Sequence, residues 1–402
     1  MSGYPPPLGA RTSKRVVLIY TNDLLPRSCT FIRAQAEALR VFEPHYVGSR
    51  LCDGLALPKE RTHMVHRGGR LGNLQDVICK IAGLVPSPAA QLARLRPVLV
   101  HAHFGPDAIQ AMFLARNLRV PLVVTFHGYD ATTRDDWARR SFFRHRVYVA
   151  RRDALKRSAS LFLAVSQFIR DRLLEQGFPA ERTIVHYTGV DNELFHGDPD
   201  GDRESLVLFA GNLIPQKGVS HLLRAMALLS ARHPAFRTVV LGDGPELASL
   251  RRLAAQLQLQ AEFLGVRPPD EVAAWLRRAA VFCAPSVTAG SGAREGFGMV
   301  FAEAQACGVP VVSYRVGGIP EAVGDGSGGL LVREGDYHGL ACALDRLIES
   351  KQLRVSLGRA GQKRTSLLFN LRRQTVRLEA LYERVLQAPT ATDSGLVGPL
   401  VR

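Results

Sequence analysis

The chain has 402 residues, with 52 Lys+Arg against 36 Asp+Glu, a formal net charge of +16 and 46% hydrophobic residues. That length suits two domains, the apolar share excludes a disordered chain, and the basic balance suits phosphate-bearing substrates, nucleic acid or an anionic membrane. Cys29, Cys52, Cys79, Cys283, Cys307 and Cys342 form no C-x-x-C pair, and no window approaches the ~18–20 uncharged apolar residues of a membrane span.

The N-terminal stretch has no long apolar core before a cleavage site, so residues 1–14 are expected to be a disordered leader and the protein to be cytoplasmic. Arg15–Tyr20 reads as a buried strand, Thr21–Cys29 as a loop and Thr30–Val41 as a helix capped by Thr30. Residues 50–96 carry weak signals: a Gly/Arg-rich section, Arg67-Gly68-Gly69-Arg70, precedes a helix expected over Leu74–Leu84. Neither the P-loop spacing nor the GxGxxG spacing is present.

Pro97–Phe104, then Asp107–Leu118, then Val120–Phe126 form a strand–helix–strand unit, which requires a parallel sheet. Ligands of such sheets sit at the carboxyl ends of the strands, where His103 and His127 fall. His101, His103 and His127 have the residue types of a zinc set, but no fourth ligand or glutamate base stands nearby, so no metal site is expected. A histidine at a strand end also serves as a packing residue.

Arg139, Arg140, Arg144, Arg146, Arg151, Arg152, Lys156 and Arg157 are interleaved with Trp137, Phe142, Phe143 and Tyr148. This is either a solvated helical face or a surface for the inner face of the cytoplasmic membrane. A nucleic-acid interface would rest on charge alone, without a reading motif, and no nucleic-acid partner is expected. Leu161–Val165 is a further strand, followed by a helix from Ser166 to Gly177.

The Gly/Pro/Asp run from His196 to Arg203 is the best linker in the chain. After it, Leu206–Ala210 opens a second sheet, and its strand ends at Gly211-Asn212-Leu213-Ile214-Pro215-Gln216-Lys217-Gly218. A lysine beside a glycine at a helix start suits a phosphate as a compact charge. Val239–Glu246, Phe263–Val266 and the helix Asp270–Ala279 continue the strand–helix alternation.

Val281–Ala284 ends a buried run, and Ala289–Arg294 is a small, polar loop. Gly296 and Gly298 let the chain turn into a helix over Met299–Cys307, stopped by Gly308 and Pro310. Glu295 stands before the turn and Glu303 eight residues on, with the free amides near Gly298 and Met299 between them. A helix N-terminus behind a glycine turn accepts an anion, and carboxylates accept hydroxyl protons. The same two glutamates would otherwise be a helix-dipole partner and a surface residue. Paired acids also occur in glycosidases, but that chemistry needs no phosphate site.

Glu295-Gly-Phe-Gly-Met-Val-Phe-Ala-Glu303, continued by Ala304, Ala306-Cys307-Gly308, Pro310-Val311-Val312 and Gly317-Gly318-Ile319-Pro320-Glu321, resembles the E-x7-E signature of retaining family 4 glycosyltransferases. His101-Ala-His103-Phe-Gly with His127-Gly-Tyr-Asp130 resembles the exopolysaccharide and colanic-acid-biosynthesis type. The resemblance implies a GT-B fold, two Rossmann-like doubly wound parallel-sheet domains facing a cleft, with a C-terminal helix crossing back. Residues 15–196 would take the acceptor, residues 205–368 the nucleotide sugar, and residues 369–387 would form the crossing helix, before a disordered tail from 388 to 402.

The resemblance further implies a metal-independent hexosyltransferase moving a sugar from a UDP- or GDP-sugar co-substrate, without a cofactor, to a saccharide acceptor, lipid-linked in surface polysaccharide synthesis. His127, Lys217 and Glu295 would carry catalysis. Gly211, Asn212, Lys217, Arg294, Glu295, Gly296, Phe297, Gly298, Met299, Val300 and Glu303 would surround the donor, and His103 and Asp130 would lie on the acceptor side. Two departures stand out: the first loop, Asn22–Ser28, lacks the family's Gly-Gly pair, and Asn212 replaces the arginine of the family's G-R-L-x3-K-G pattern. Either Arg294 would then supply the second cation, or the donor would be bound more weakly. A nucleotide-sugar epimerase or hydrolase on the same fold is the alternative.

Overall fold

A computed structural model of the protein describes residues 14–65 and 88–388. The expected leader, the Arg67–Arg70 section, the helix over Leu74–Leu84 and the tail beyond residue 388 lie outside the described residues.

The chain builds two parallel sheets. The first contains β1 (Arg15–Asp23), β2 (Phe42–Arg50), β3 (Thr62–Met64), β4 (Leu99–His103), β5 (Leu122–Phe126), β6 (Leu161–Ala164) and β7 (Thr183–Val185), in the order β3-β2-β1-β4-β5-β6-β7. The second contains β8 (Glu204–Ala210), β9 (Arg237–Leu241), β10 (Ala261–Gly265), β11 (Ala279–Cys283), β12 (Val311–Tyr314) and β13 (Gly329–Val332), in the order β10-β9-β8-β11-β12-β13. Helices cover both faces, so the central strands are buried on both sides and read as unbroken apolar runs; Leu206 to Phe209 and Leu99 to Val100 have no exposed surface.

In each sheet the strand order reverses once, between β1 and β4 and between β8 and β11. Loops that leave the carboxyl ends of these strand pairs diverge to opposite faces and leave a crevice. In the first domain those loops carry Leu24–Leu25 and Phe104; in the second they carry Gly211–Gly218 and Ala284–Gly298.

The last helix, Leu371–Gln387, leaves the second domain and packs on the first. Asn370 caps it by accepting from the Arg373 amide, two residues later than the expected start at Phe369. Its Leu378, Leu381 and Tyr382 join the apolar cluster of Val17, Ile19, Phe42 and Leu99 under the first sheet. Glu379 accepts from the amides of Arg40 and Val41, each at 2.7 Å, and Glu383 pairs with Arg15. At the crossing, the Val190 amide donates to Phe369 O (2.6 Å) and the Leu371 amide to Val190 O (2.9 Å). Gly189 is needed there, since a Cβ would lie 2.3 Å from the Leu371 Cα.

The domains also touch beside the crevice. Ser166 Oγ donates to Gly296 O (2.6 Å), and the Arg134 amide donates to Ser291 O (3.0 Å). Glu321 accepts from the Gln167 amide (2.7 Å) and from the Tyr187 hydroxyl (2.6 Å). A Cβ on Gly296 would lie 2.0 Å from the His127 carbonyl oxygen, so only glycine lets the two loops meet.

Candidate active site

On the second domain, the loop after β8 ends in a single turn, Pro215–Lys217, closed by Gly218 at φ 65°. A Cβ on Gly218 would lie 2.0 Å from Pro285 O, so this loop is pressed against the loop that follows β11. The approach brings Lys217 Nζ to 2.5 Å from Glu295 Oε2, with side chains 27% and 15% exposed. Two residues far apart in sequence thereby form one partly desolvated ion pair.

Three residues beyond Glu295, Gly298 turns the backbone at φ 81° and opens the helix Met299–Ala306. A Cβ there would lie 2.5 Å from the Phe301 ring. Among the described residues no side chain caps this helix, so its first amides are open to an acceptor. One turn in, the half-buried Glu303 carboxylate meets no hydrogen-bond donor and no cation among the described residues. Burial raises its pKa from the ordinary 4.5 to about 7.

The rest of the expected donor set divides. Asn212 and Arg294 are exposed, and among the described residues neither side chain is hydrogen-bonded or ion-paired. The Arg294 amide donates to Thr132 Oγ1 (3.0 Å), which ties its loop to the first domain. Gly211 closes β8 against the next loop: Gly242 can approach its carbonyl only because it lacks a Cβ. Phe297 turns inward and packs on Phe369 and Tyr187, at centroid distances of 4.9 and 5.8 Å. Its ring belongs to the interior, as do parts of Met299 and Val300.

On the first domain, His127 follows β5. Its Nε2 lies 3.0 Å from His103 Nδ1, and Phe31 and Phe104 flank its ring. Burial, and after it the neighbouring His101, lowers its pKa to about 3, so the imidazole is neutral at physiological pH. His101 has both nitrogens engaged, Nδ1 with Tyr382 Oη (2.6 Å) and Nε2 with Thr125 Oγ1 (2.7 Å), which removes it from any metal set. Among the described residues the one cluster of metal-ligand type is His233, Asp345 and Glu349, and Arg232 already pairs with both of its carboxylates.

Asp130, expected on the acceptor side, has its buried carboxylate bound by the backbone. It accepts from the amides of Gly105 (3.0 Å), Gly128 (2.8 Å) and His127 (3.1 Å). It therefore shapes the loop that carries His127. Desolvation raises its pKa to about 6 in spite of those amides. Phe104, just before Gly105, adopts φ 70° and ψ 132°, a conformation costing a non-glycine residue about 1–3 kcal/mol.

The sequence places Arg144 in the interleaved basic and aromatic stretch. Arg144 turns between Asp23 (3.5 Å) and Asp107 (3.8 Å) at the carboxyl ends of β1 and β4. Arg152 pairs with Asp135 (2.5 Å), and Lys156 donates to Gln176 O (2.6 Å). Arg139, Arg140, Arg146 and Arg157 remain exposed, with Phe142 74% exposed among them and Trp137 and Phe143 also at the surface. Asp23, Asp107 and Tyr382 belong to no sequence motif, yet they hold Arg144 and His101. Asp107, at the start of a helix beside a strand end, was the one carrying a usable signal.

Comparison with known proteins matches this two-part layout. Residues 30–194 match the family described as Glycosyltransferase Family 4, and residues 192–364 match Glycosyl transferases group 1. An uncharacterized glycosyltransferase of Methanocaldococcus jannaschii is 30% identical over 290 residues, 71% of this chain and 75% of its own. The amylovoran biosynthesis glycosyltransferase AmsK of Erwinia amylovora is 29% identical over 392 residues, 92% of both chains. Among solved structures, Anabaena HepE in complex with UDP and glucose superposes with a TM-score of 0.73 at 23% identity, covering 91% of this chain and 99% of its own. No described helix is long and apolar enough to cross a membrane.

Proposed function

The chain belongs to the family 4 glycosyltransferases, and from that premise we propose that it transfers a sugar, with retention, from a UDP- or GDP-sugar to a saccharide acceptor in surface polysaccharide synthesis. The observation that carries this is the grouping of Lys217, Glu295, the amides after Gly298 and Glu303, the last two without a side-chain partner among the described residues, at the strand-order reversal of the second sheet. A cation and free amides suit a diphosphate, and a carboxylate on either side suits hydroxyl groups.

In this reading Glu303 accepts from the ribose hydroxyls and Glu295 from the sugar. The diphosphate lies between them, against Lys217 and the amides of Met299 and Val300. Arg294, which makes no ion pair among the described residues, supplies the positive charge that Asn212 does not. The acceptor hydroxyl oxygen bonds to the anomeric carbon on the face from which the diphosphate departs. The carbon–oxygen bond to the diphosphate breaks, and a phosphate oxygen takes the hydroxyl proton. The products are the glycoside and the nucleoside diphosphate. Lys217 and the helix amides stabilise the charge that builds on the leaving group, a task that fixed dipoles perform without reorganisation. Neutral His127 reaches across from the first domain to orient the sugar. Neither a metal nor a cofactor has a part in these steps.

The acceptor is lipid-linked in this reading. Phe142, Phe143 and Trp137 with Arg139, Arg140 and Arg146 form the surface that meets the anionic inner face of the membrane.

Thermal shift with a panel of UDP- and GDP-sugars tests the donor site, because a bound donor stabilises the fold by mass action. One nucleotide class should raise the melting temperature and support transfer with retained anomeric configuration. Inversion in the product, or activity abolished by a chelator, would contradict the mechanism.

A further inference from the structure

His127 ends a column of three imidazoles. His101 is held at both nitrogens by Tyr382 and Thr125 and cannot rotate without breaking one of those bonds. Its ring lies against His103, with centroids 4.4 Å apart. His103 then meets His127 in a near-parallel stack, 5.2 Å between centroids and 23° between planes, with Nδ1 3.0 Å from Nε2. Phe31 and Phe104 close on the His127 ring, and Asp130 holds its amide. The column begins on Tyr382, which the crossing helix Leu371–Gln387 brings from the far end of the chain.

All three rings are neutral, because burial holds His101 and His103 well below the usual histidine range and His127 at about 3. A neutral imidazole carries one N–H and one lone pair. Two such rings facing through one nitrogen each must share one hydrogen: two lone pairs would repel and two hydrogens would collide. The two tautomers are therefore coupled: His127 Nε2 carries the proton when His103 Nδ1 does not, and the reverse. That in turn decides whether His127 Nδ1, its other nitrogen, donates to a sugar hydroxyl or accepts from it.

We propose that His103 is a positioning residue that fixes the tautomer and ring plane of His127, backed by His101 and, through it, by Tyr382 of the crossing helix. This deepens the transferase reading and rests on His127 facing the sugar.

The test uses the full chain labelled with ¹⁵N in its histidine rings. In the wild type, His127 should show one protonated and one unprotonated nitrogen. His103→Phe keeps a ring in the stack but removes the nitrogen. It should give exchange-averaged His127 signals and a turnover about tenfold lower, the effect of one neutral hydrogen bond, with the donor KM changed less than about twofold. His103→Gln, whose amide both donates and accepts, should recover most of the turnover. Averaged His127 signals in the wild type overturn the proposal, as does wild-type turnover in His103→Phe. Should His103→Phe not fold, the wild-type spectrum and His103→Gln still decide. Failure of the wild type to bind any nucleotide sugar would strike the functional reading instead, and leaves the tautomer measurement intact.

Discussion

Replacing Glu303 by glutamine separates the cost of holding a carboxylate from its use. The Glu303 carboxyl binds its proton more tightly in the fold than in the unfolded chain, with a pKa of about 7 against the ordinary 4.5. The stability it contributes is therefore fully present below pH 4.5 and is lost as the pH rises through about 7. Each pKa unit corresponds to about 1.4 kcal/mol, so ionising Glu303 in place costs on the order of 3 kcal/mol above pH 8, and somewhat less because solvent reaches the group. Glu303→Gln is neutral at every pH and keeps the shape. It should raise the melting temperature at pH 8.5 by about 3–4 °C and leave it nearly unchanged at pH 4.5. The same change should weaken nucleotide-sugar binding about tenfold at pH 8, since an amide offers one acceptor oxygen where a carboxylate offers two. Calorimetry of both proteins at the two pH values, with donor titrations at pH 8, measures both effects. An equal shift in melting temperature at both pH values would refute the desolvation argument, and tighter donor binding by the variant would refute the assigned use.

Lys217→Ala should lower turnover at saturating donor by about 100-fold, as the loss of one preorganised charge does; steady-state kinetics read it directly. Glu379→Ala leaves the Arg40 and Val41 amides unpaired beneath the crossing helix, and the urea midpoint should fall by the equivalent of about 2–4 kcal/mol. Reversing the charge of Arg139, Arg140 and Arg146 together should reduce partition onto vesicles containing an anionic lipid by more than about 100-fold, since losing three attractions of about 1 kcal/mol each already accounts for that factor. Binding that survives the reversal would remove the membrane surface from the proposal. Arg144 is left out of that set because Asp23 and Asp107 flank it inside the domain.

The alternation of strands and helices was legible because parallel strands covered on both faces are continuously apolar, as in Leu206–Phe209 and Leu161–Ala164. β2 was hidden: Pro44, His45 and Gly48 interrupt Phe42, Tyr46 and Val47, although all six are buried. β3 and β7 are three-residue edge strands, too short to carry a pattern. At the site, the turn around Gly298 and its flanking glutamates could be read locally, because one helix start contains them. The bond between Lys217 and Glu295 could not, since it depends on how two loops pack, and the Gly218–Pro285 contact that forces them together has no local signature. Phe297 and Asp130 show the converse: residues inside a recognisable motif whose side chains serve the interior or the backbone.

The paired passes of chain at Val190 and Asn370 have a consequence for how the molecule can be divided. A fragment stopping near residue 190 would keep all seven strands of the first sheet yet lose the helix that seals its underside, baring Ile19, Phe42 and Leu99 to water. The two halves are thus sequential in the gene but interlocked as objects. The chain passes between them as two adjacent threads, hydrogen-bonded to each other through Val190, Phe369 and Leu371.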